Sequence, residues 1–552
     1  MKKSFFCSRN VYIFPMGFKN FYLGFKSFFG DCISFENTAT PTVLIIELNG
    51  LFYQGCRKLY TQYENMADLH KLKLQMLLFE QICFSFHSII AEYQSAETIF
   101  LVVDGVPGLM KNIEQRQRRY KNSFENKYNG IFDLNCFSPG TKTLHYLTKY
   151  IDWFLRSKMT TEPMYRNKKI YFSNEKVAGE GEIKIINFIK RQCQATDSIM
   201  IYSSDSDLIL LCLVLTEFDI TIARNSTHYG KEYLSVQQFR QEIFQKFSFD
   251  EAEQQQTFLD FFLLFTLLGN DYVPNSPCVY HFSILYESIL PRYKQYGKHF
   301  VTGNNPYSLH LQNLCNFFVL FGKQEKKWLE EKYKAQSCSF FPDSIYLNQT
   351  VQGNQFDFLS YQESFRSLNM ITKETVYQYL STLQNMINMM FQHDFNWFYF
   401  FQYYKTPFLS DFAYTEEMET HVPSLLKQLQ NSVVDPFFHL SIIIPPQSKS
   451  LLPKSLQCIF FDLKEFYPSY IEIDLTGKFK IWEGIVKLPI MKANLFLEYY
   501  RKKKVNLEPE EKRRNIVGKT FYYAHKHNYW EDFHSYYGTI TNCRVKTLFL
   551  DI

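Results

Sequence analysis

Three short apolar runs set the terms for this chain. Residues 42–46 (TVLII), 98–103 (TIFLVV) and 199–202 (IMIY) are rich in β-branched side chains and show no polar alternation. A strand with one wet face alternates. A strand without alternation is buried on both faces, the habit of parallel sheets covered by helices. Between these runs, residues 63–93, 110–127, 142–156 and 181–192 carry helical patterns. The rhythm predicts an α/β domain with a central, mostly parallel sheet flanked by helices.

Each run leads into acid. LIIELNG supplies Glu47, LVVDG supplies Asp104, and YSSDSD supplies Asp205 and Asp207. In an open parallel sheet, ligands bind beyond the carboxyl ends of the strands, so acids placed there converge on one crevice. GEGEIKIINFIK opens a helix with Glu180 and Glu182 on either side of Gly181. FFLLFTLLGND closes one, with Gly269 as the C-cap and Asp271 just beyond. Any one of these acids alone reads as a cap or a dipole partner. Seven in this pattern repel one another unless compensated. Hard divalent cations, Mg²⁺ or Mn²⁺, supply the compensation, and two ions about 4 Å apart clamp the attacking and leaving oxygens of a phosphodiester. No GxSxG string occurs and no His sits in a catalytic motif, which disfavours a Ser-His-Asp hydrolase.

Seven residues after Asp104, DGVPGLMKNIEQRQRRYKN places Lys111, Gln115 and Arg118 at i, i+4 and i+7, with Arg119 on the same face. Taken alone this is a solvated basic helix. Beside a carboxylate crevice it is a holder for a terminal phosphate, with Arg as a bidentate donor. The aromatic segment 396–407 (NWFYFFQYYKTP) and Tyr53 are candidate base-stacking platforms, although aromatic runs are more often core.

Composition narrows the remaining classes. Hydrophobic residues at 46% and charged residues at 21% exclude a disordered chain. The net charge of +5 means that any basic site is local. Twelve cysteines without a CxxC pair exclude zinc-ribbon and thioredoxin-type sites and fit reduced thiols. No uninterrupted apolar run reaches about 18 residues, and charged and polar residues break the N-terminal apolar stretch. A soluble protein without a membrane partner is expected, in the cytoplasm, with the nucleus as the alternative. After about residue 275 the composition changes. Helices with a charged patch at 323–334 and a turn at 303–306 give way to the aromatic stretch 375–412 and proline-bearing pieces over 435–490. A second, irregular helical and β region wrapped around the first is expected, with a solvated helix over 501–514.

Together these strings resemble the Xrn family of 5′→3′ exoribonucleases. In chain order they are MGFKNFY (16–22), IELNGLFY, DGVPGLMKNIEQRQRR, FDLNCFSPGT (132–141), VAGEGEIK, SSDSDLILL and LLGNDYVP. YKTPFLSDF, DPFFHL, LLPKSL, IEIDLTGKFKIWEG (471–484) and LEPEEKRRNIVGK follow. The resemblance implies a PIN-like nuclease domain over 16–275 after an extension at 1–15, a helical linker over 276–374, and a second conserved region over 375–552. It implies that Glu47, Asp104, Glu180, Glu182, Asp205, Asp207 and Asp271 are catalytic metal ligands for two Mg²⁺ or Mn²⁺ ions. Lys111, Gln115, Arg118 and Arg119 match the family's 5′-monophosphate pocket. Tyr53 and Tyr399 fall where the family stacks bases on His and Trp, with Trp397 beside them. The implied partner is single-stranded RNA with a 5′-monophosphate, cut by a monomer to 5′-mononucleotides. Glu47 departs from the usual Asp, and Ala178 and Ile183 from a Pro and a His. A flap-type or 5′→3′ DNA nuclease is the alternative on the same chemistry. A catalytically inactive RNA-binding scaffold is the alternative of another class.

Overall fold

The computed structural model describes residues 21–63, 71–125, 133–226, 230–249, 253–303, 306–334, 356–392, 394–427, 432–478 and 483–552. The extension at 1–15, the family-like start at Met16, and Asn304 and Asn305 of the expected turn lie outside them. A nine-stranded sheet organises the rest. Its strands are β1 (Ile33–Ser34), β2 (Val43–Glu47), β3 (Thr98–Val102), β4 (Lys169–Ser173), β5 (Ser198–Tyr202), β6 (Asp219–Ser226) and β7 (Gly230–Ser235), joined by Thr520–His525 and Val545–Leu550. The order is β1-β7-β6-β5-β2-β3-β4, then 520–525, then 545–550. The run from β6 to β4 is parallel, and both flanks are antiparallel.

The helices that precede or cross over between these strands are α1 (Phe21–Phe28), α2 (Asn49–Tyr63), α3 (Lys71–Glu92), α4 (Leu109–Glu125), α5 (Lys142–Thr161), α6 (Pro163–Arg166), α7 (Gly181–Gln192) and α8 (Asp207–Leu211). After the sheet turns back come α9 (Val236–Phe247) and α10 (Gln254–Phe265). Side chains alternate across a strand, so Val43 and Ile45 of β2 enter one core while Leu44 and Ile46 enter another. All four are buried, which explains the missing polar alternation. Each such side chain contributes roughly 1.5–3 kcal/mol by leaving water. Leu72–Glu92 is long and apolar enough to cross a membrane by composition. Here Leu78, Phe79, Ile82, Cys83 and Phe86 of α3 are buried in the second core, with residues of α2 and α5.

The larger core runs unbroken from Phe21 and Val43 to Phe496 and Leu507, so the second region shares it. Arg116 of α4 ties the two regions, donating from Nη1 to the Pro489 carbonyl (2.8 Å). The C-terminal strands go further and extend the central sheet beyond β4, pairing Phe521 with Phe172 and Tyr523 with Ile170. The solvated helix expected over 501–514 is two helices, Ala493–Lys503 and Pro509–Arg514, with a single 3-10 turn between them. Proline has no amide to continue the first helix but fits the first turn of the second.

Candidate active site

The order in which the parallel strands are connected reverses at β2, because β3 and β4 lie on one side of it and β5 and β6 on the other. The crevice at that switch point is where the acids gather. Glu47 is the last residue of β2 and 6% exposed. The Ser203 hydroxyl, at the end of β5, donates to its Oε2. Ser203 Oγ also accepts from the Asp205 amide (2.9 Å), and Asp205 Oδ1 accepts from the Asp207 amide (2.9 Å) where α8 begins. Asp104 follows β3, with its amide donating to Asn49 Oδ1 (2.9 Å). Its Oδ1 accepts from the Gly181 amide at the start of α7 (2.7 Å), a carboxylate on the positive end of a helix. Glycine keeps this approach close: a Cβ on residue 181 would lie 3.1 Å from Asp104 Oδ1 and 3.5 Å from Glu47 Cγ.

Glu180 and Glu182 enter from the first turn of α7, both buried. Asp271 enters from the turn after α10, where Gly269 caps the last 3-10 turn at φ 80°. Lys111 of α4 joins these three. Its Nζ is 2.6 Å from Glu180 Oε2, 2.6 Å from Asp271 Oδ2 and 3.8 Å from Glu182 Oε1. The Tyr272 hydroxyl donates to Glu180 Oε1 (2.8 Å). Behind Asp104, buried Lys184 donates to the carbonyls of Val103 (2.7 Å) and Asn174 (3.1 Å), fixing the ends of β3 and β4.

The electrostatics are those of an over-acidic pocket. Burial, then Asp205 and Asp104, push the Glu47 carboxyl up to about 8. Burial and Glu180 push Glu182 well above the usual carboxylate range. Burial raises Asp205 as well, although Lys111 opposes it. For Lys111 burial disfavours the charge, yet Asp271 and Glu180 outweigh it and hold the ammonium well above its ordinary range. Among the described residues, no three His, Cys, Asp or Glu side chains stand ready to hold a metal ion.

Along α4, Lys111, Gln115 and Arg119 are buried and Arg118 is half-buried. Arg118 Nε lies 3.6 Å from Glu114 Oε1, one turn back. Arg119 donates from Nη1 to Asn135 Oδ1 (3.2 Å), while its Nε has no partner and, among the described residues, no carboxylate pairs with it. Burial lowers its pKa. Tyr53 is half-buried, within the field of both arginines and Asp104, with its ring edge-on to Phe137 at 5.9 Å. Trp397 docks where α4 begins, since its carbonyl accepts from the Leu109 amide (2.8 Å) and its ring lies 4.6 Å from that of Phe395. A cavity of about 900 Å³ opens beside the cluster, bounded by Arg118, Lys121, Asp271, Tyr272, Tyr403 and Tyr404.

One expected platform is overturned. Tyr399 is 5% exposed and its hydroxyl donates to the Gln378 carbonyl (2.9 Å), so it is a core side chain with no face for a base. Ser203, Tyr272, Lys184, Asn49 and Asn135 were not anticipated as site residues. Ser203 and Tyr272 stand beside predicted acids in YSSDSD and LLGNDYVP, which was the available signal.

Residues 16–226 match the family described as "XRN 5'-3' exonuclease N-terminus", and residues 322–548 match "Xrn1 helical domain". The human protein named 5'-3' exoribonuclease 1 is 24% identical over 576 residues, covering 86% of this chain and 33% of its own. The Saccharomyces cerevisiae protein of that name is 22% identical over 666 residues, covering 89% of this chain and 43% of its own. The Arabidopsis thaliana 5'-3' exoribonuclease 2 is 20% identical over 601 residues, covering 76% and 59%. This chain therefore spans about a third of the human relative and less than half of the yeast one. A solved structure of the T5 D15 protein, co-crystallized with metal ions, is 14% identical, covers 52% of this chain and 84% of its own, and has a TM-score of 0.29. With both domain signatures in their order on one sheet and one shared core, the chain belongs to the Xrn family.

Proposed function

We propose that this chain is a divalent-metal-dependent 5′→3′ exoribonuclease that removes 5′-mononucleotides from single-stranded RNA carrying a 5′-monophosphate. The observation that carries the reading is a mismatch of charge. Buried carboxylates crowd the strand ends, while a turn or two along α4 a buried guanidinium, Arg119, forms no ion pair with a carboxylate among the described residues. Cations complete the first place, and a terminal phosphate completes the second.

The donor set fits Mg²⁺ or Mn²⁺: every candidate ligand is a hard carboxylate oxygen, and buried Glu182 Oε1 has no hydrogen-bond partner among the described residues. Glu47, Asp104, Glu180, Glu182, Asp205, Asp207 and Asp271 are the residues that would hold two such ions. Bound there, they would activate a water and neutralise the charge that develops on the scissile phosphate. The protein's own share is positioning. Ser203 and Gly181 fix Glu47 and Asp104. Arg118, Arg119 and Gln115 would grip the terminal phosphate, with Lys111 at the join between the two sites. Tyr53 and Trp397 would stack the first bases. A phosphate held at a fixed distance from the acids makes the first phosphodiester the one cut.

The test is one labelled RNA with a 5′-monophosphate, 5′-triphosphate or 5′-hydroxyl, plus a matching single-stranded DNA and a flap DNA, with Mg²⁺. Mononucleotide release from the monophosphorylated RNA alone, lost in Asp205→Ala/Asp207→Ala, is expected. Release from DNA instead, or RNA binding without turnover, would overturn the proposal.

A further inference from the structure

One side chain, Tyr272, touches both halves of the charge arrangement without being an acid or a base in it. We infer that Tyr272 is a positioning residue: its hydroxyl fixes the Glu180 carboxylate, its ring seats the Lys111 ammonium, and it thereby sets how tightly the acid cluster takes a divalent cation. This rests on reading the acid cluster as a cation site.

The backbone that carries Tyr272 is pinned. Asn270 Oδ1 accepts from the amides of Tyr272 (2.9 Å) and Val273 (3.0 Å). The Asn270 amide donates to the Val273 carbonyl (3.0 Å), and the Ser276 amide donates to the Leu267 carbonyl (2.8 Å). With the turn closed this way and the ring 5% exposed, the phenol oxygen has little freedom. It meets Glu180 Oε1 at 2.8 Å. Glu180 is the N-cap residue of α7, yet its side chain does not cap that helix. Its orientation therefore comes from Tyr272 on one oxygen and Lys111 on the other. The Lys111 ammonium also lies over the Tyr272 ring, 5.4 Å from the centroid, close enough for cation–π attraction. Loss of a partner that orients a ligating side chain typically costs about 10–100-fold in metal affinity or activity. The competing role is passive, because Tyr272 also walls the adjoining cavity.

Tyr272→Phe keeps the ring and the wall and removes only the hydroxyl. Tyr272→Leu removes the seat for Lys111 as well. The measurement is Mn²⁺ binding to the full chain without RNA, read by the paramagnetic resonance of free Mn²⁺. Mn²⁺-dependence of hydrolysis and the thermal midpoint are read beside it. Tyr272→Phe is expected to weaken Mn²⁺ binding about tenfold and to raise the half-activating Mn²⁺ concentration by the same factor. It is expected to lose far less in kcat at saturating Mn²⁺, with a thermal midpoint within about 4 °C of wild type. Tyr272→Leu is expected also to lose part of the preference for 5′-monophosphate over 5′-hydroxyl RNA. Mn²⁺ binding within twofold of wild type in Tyr272→Phe, or loss of its cooperative melting, would reduce Tyr272 to a wall and overturn the inference. A wild-type chain that binds no Mn²⁺ and hydrolyses nothing would overturn the site reading itself, a result distinct from a wild type that binds beside an unaltered variant.

Discussion

Two buried sets of charge lie within one fold and are built on opposite terms. Asp260 in α10 is fully buried, and its carboxylate is met on every side. Oδ1 accepts from the amides of Phe300 (2.9 Å) and Val301 (2.8 Å), and Oδ2 from Tyr293 (2.8 Å) and His299 Nδ1 (2.7 Å). At the strand ends, by contrast, several carboxylates crowd together, and Lys111 alone among the described residues forms ion pairs with them. A buried charge with all its partners supplied by the chain holds the chain together. A buried excess of one sign costs stability in the free protein and is kept for what it binds.

The largest effect expected from breaking the comparison is chemical. Asp205→Ala/Asp207→Ala should lower hydrolysis at least about a thousandfold while the thermal midpoint stays level or rises. Mn²⁺ should raise the melting temperature of the wild type and leave this variant's unchanged. The same operation on the balanced site should do the reverse. Asp260→Ala strands four donors and should cost about 3 kcal/mol in denaturant unfolding, with turnover per folded molecule retained. Arg119→Met separates the demand for an anion from the demand for cations. The ratio of kcat/KM for 5′-monophosphate over 5′-hydroxyl RNA should fall about a hundredfold, while Mn²⁺ binding without RNA is kept.

Glu325 gives the smallest and most graded test. It is fully buried and accepts from the amides of Leu409 (2.6 Å) and Ser410 (3.2 Å), and no cation pairs with it among the described residues. Burial lifts its carboxyl to about 7, above the usual value near 4.5. The folded chain therefore holds this proton more tightly than the unfolded one. The stability it contributes is full below pH 4.5 and is lost as pH rises through 7. Glu325→Gln should flatten that part of the stability profile, closing the gap between pH 5 and pH 8 by about 2 kcal/mol relative to wild type. An unchanged slope would show that two amides suffice to keep this carboxylate charged.

Much of the acidic site was legible because its logic is local. Apolar runs without alternation end in Glu47, Asp104 and Asp205, and the strands stop within a residue or two of where those runs do. Helix α7 falls on 181–192 as its periodicity requires, and Gly269 caps where it was expected. What stayed hidden depends on partners far along the chain. The β4 run KIYFS is short and flanked by charge, and 520–525 becomes a strand because β4 offers it an edge. Tyr399 misled because an aromatic string does not say which rings face inward; the Gln378 carbonyl, in the preceding helix Lys373–Ile387, decides that. Ser203 and Tyr272 were in view but inert as sequence, since a hydroxyl is a site residue only through what it touches.

The two C-terminal strands bear on how such a chain is made. Residues 1–275 hold all seven acids and the whole basic face of α4. Without residues 520–525 the sheet that carries them has an unpaired β4 edge, and its larger core draws side chains from as far along the chain as Phe496 and Leu507. Closing that edge joins residues 170–172 to residues 521–523, about 350 positions apart, which is the slowest kind of contact to form. The sheet that carries the acids is therefore completed only by strands far along the chain, and its β4 edge stays open until they pair.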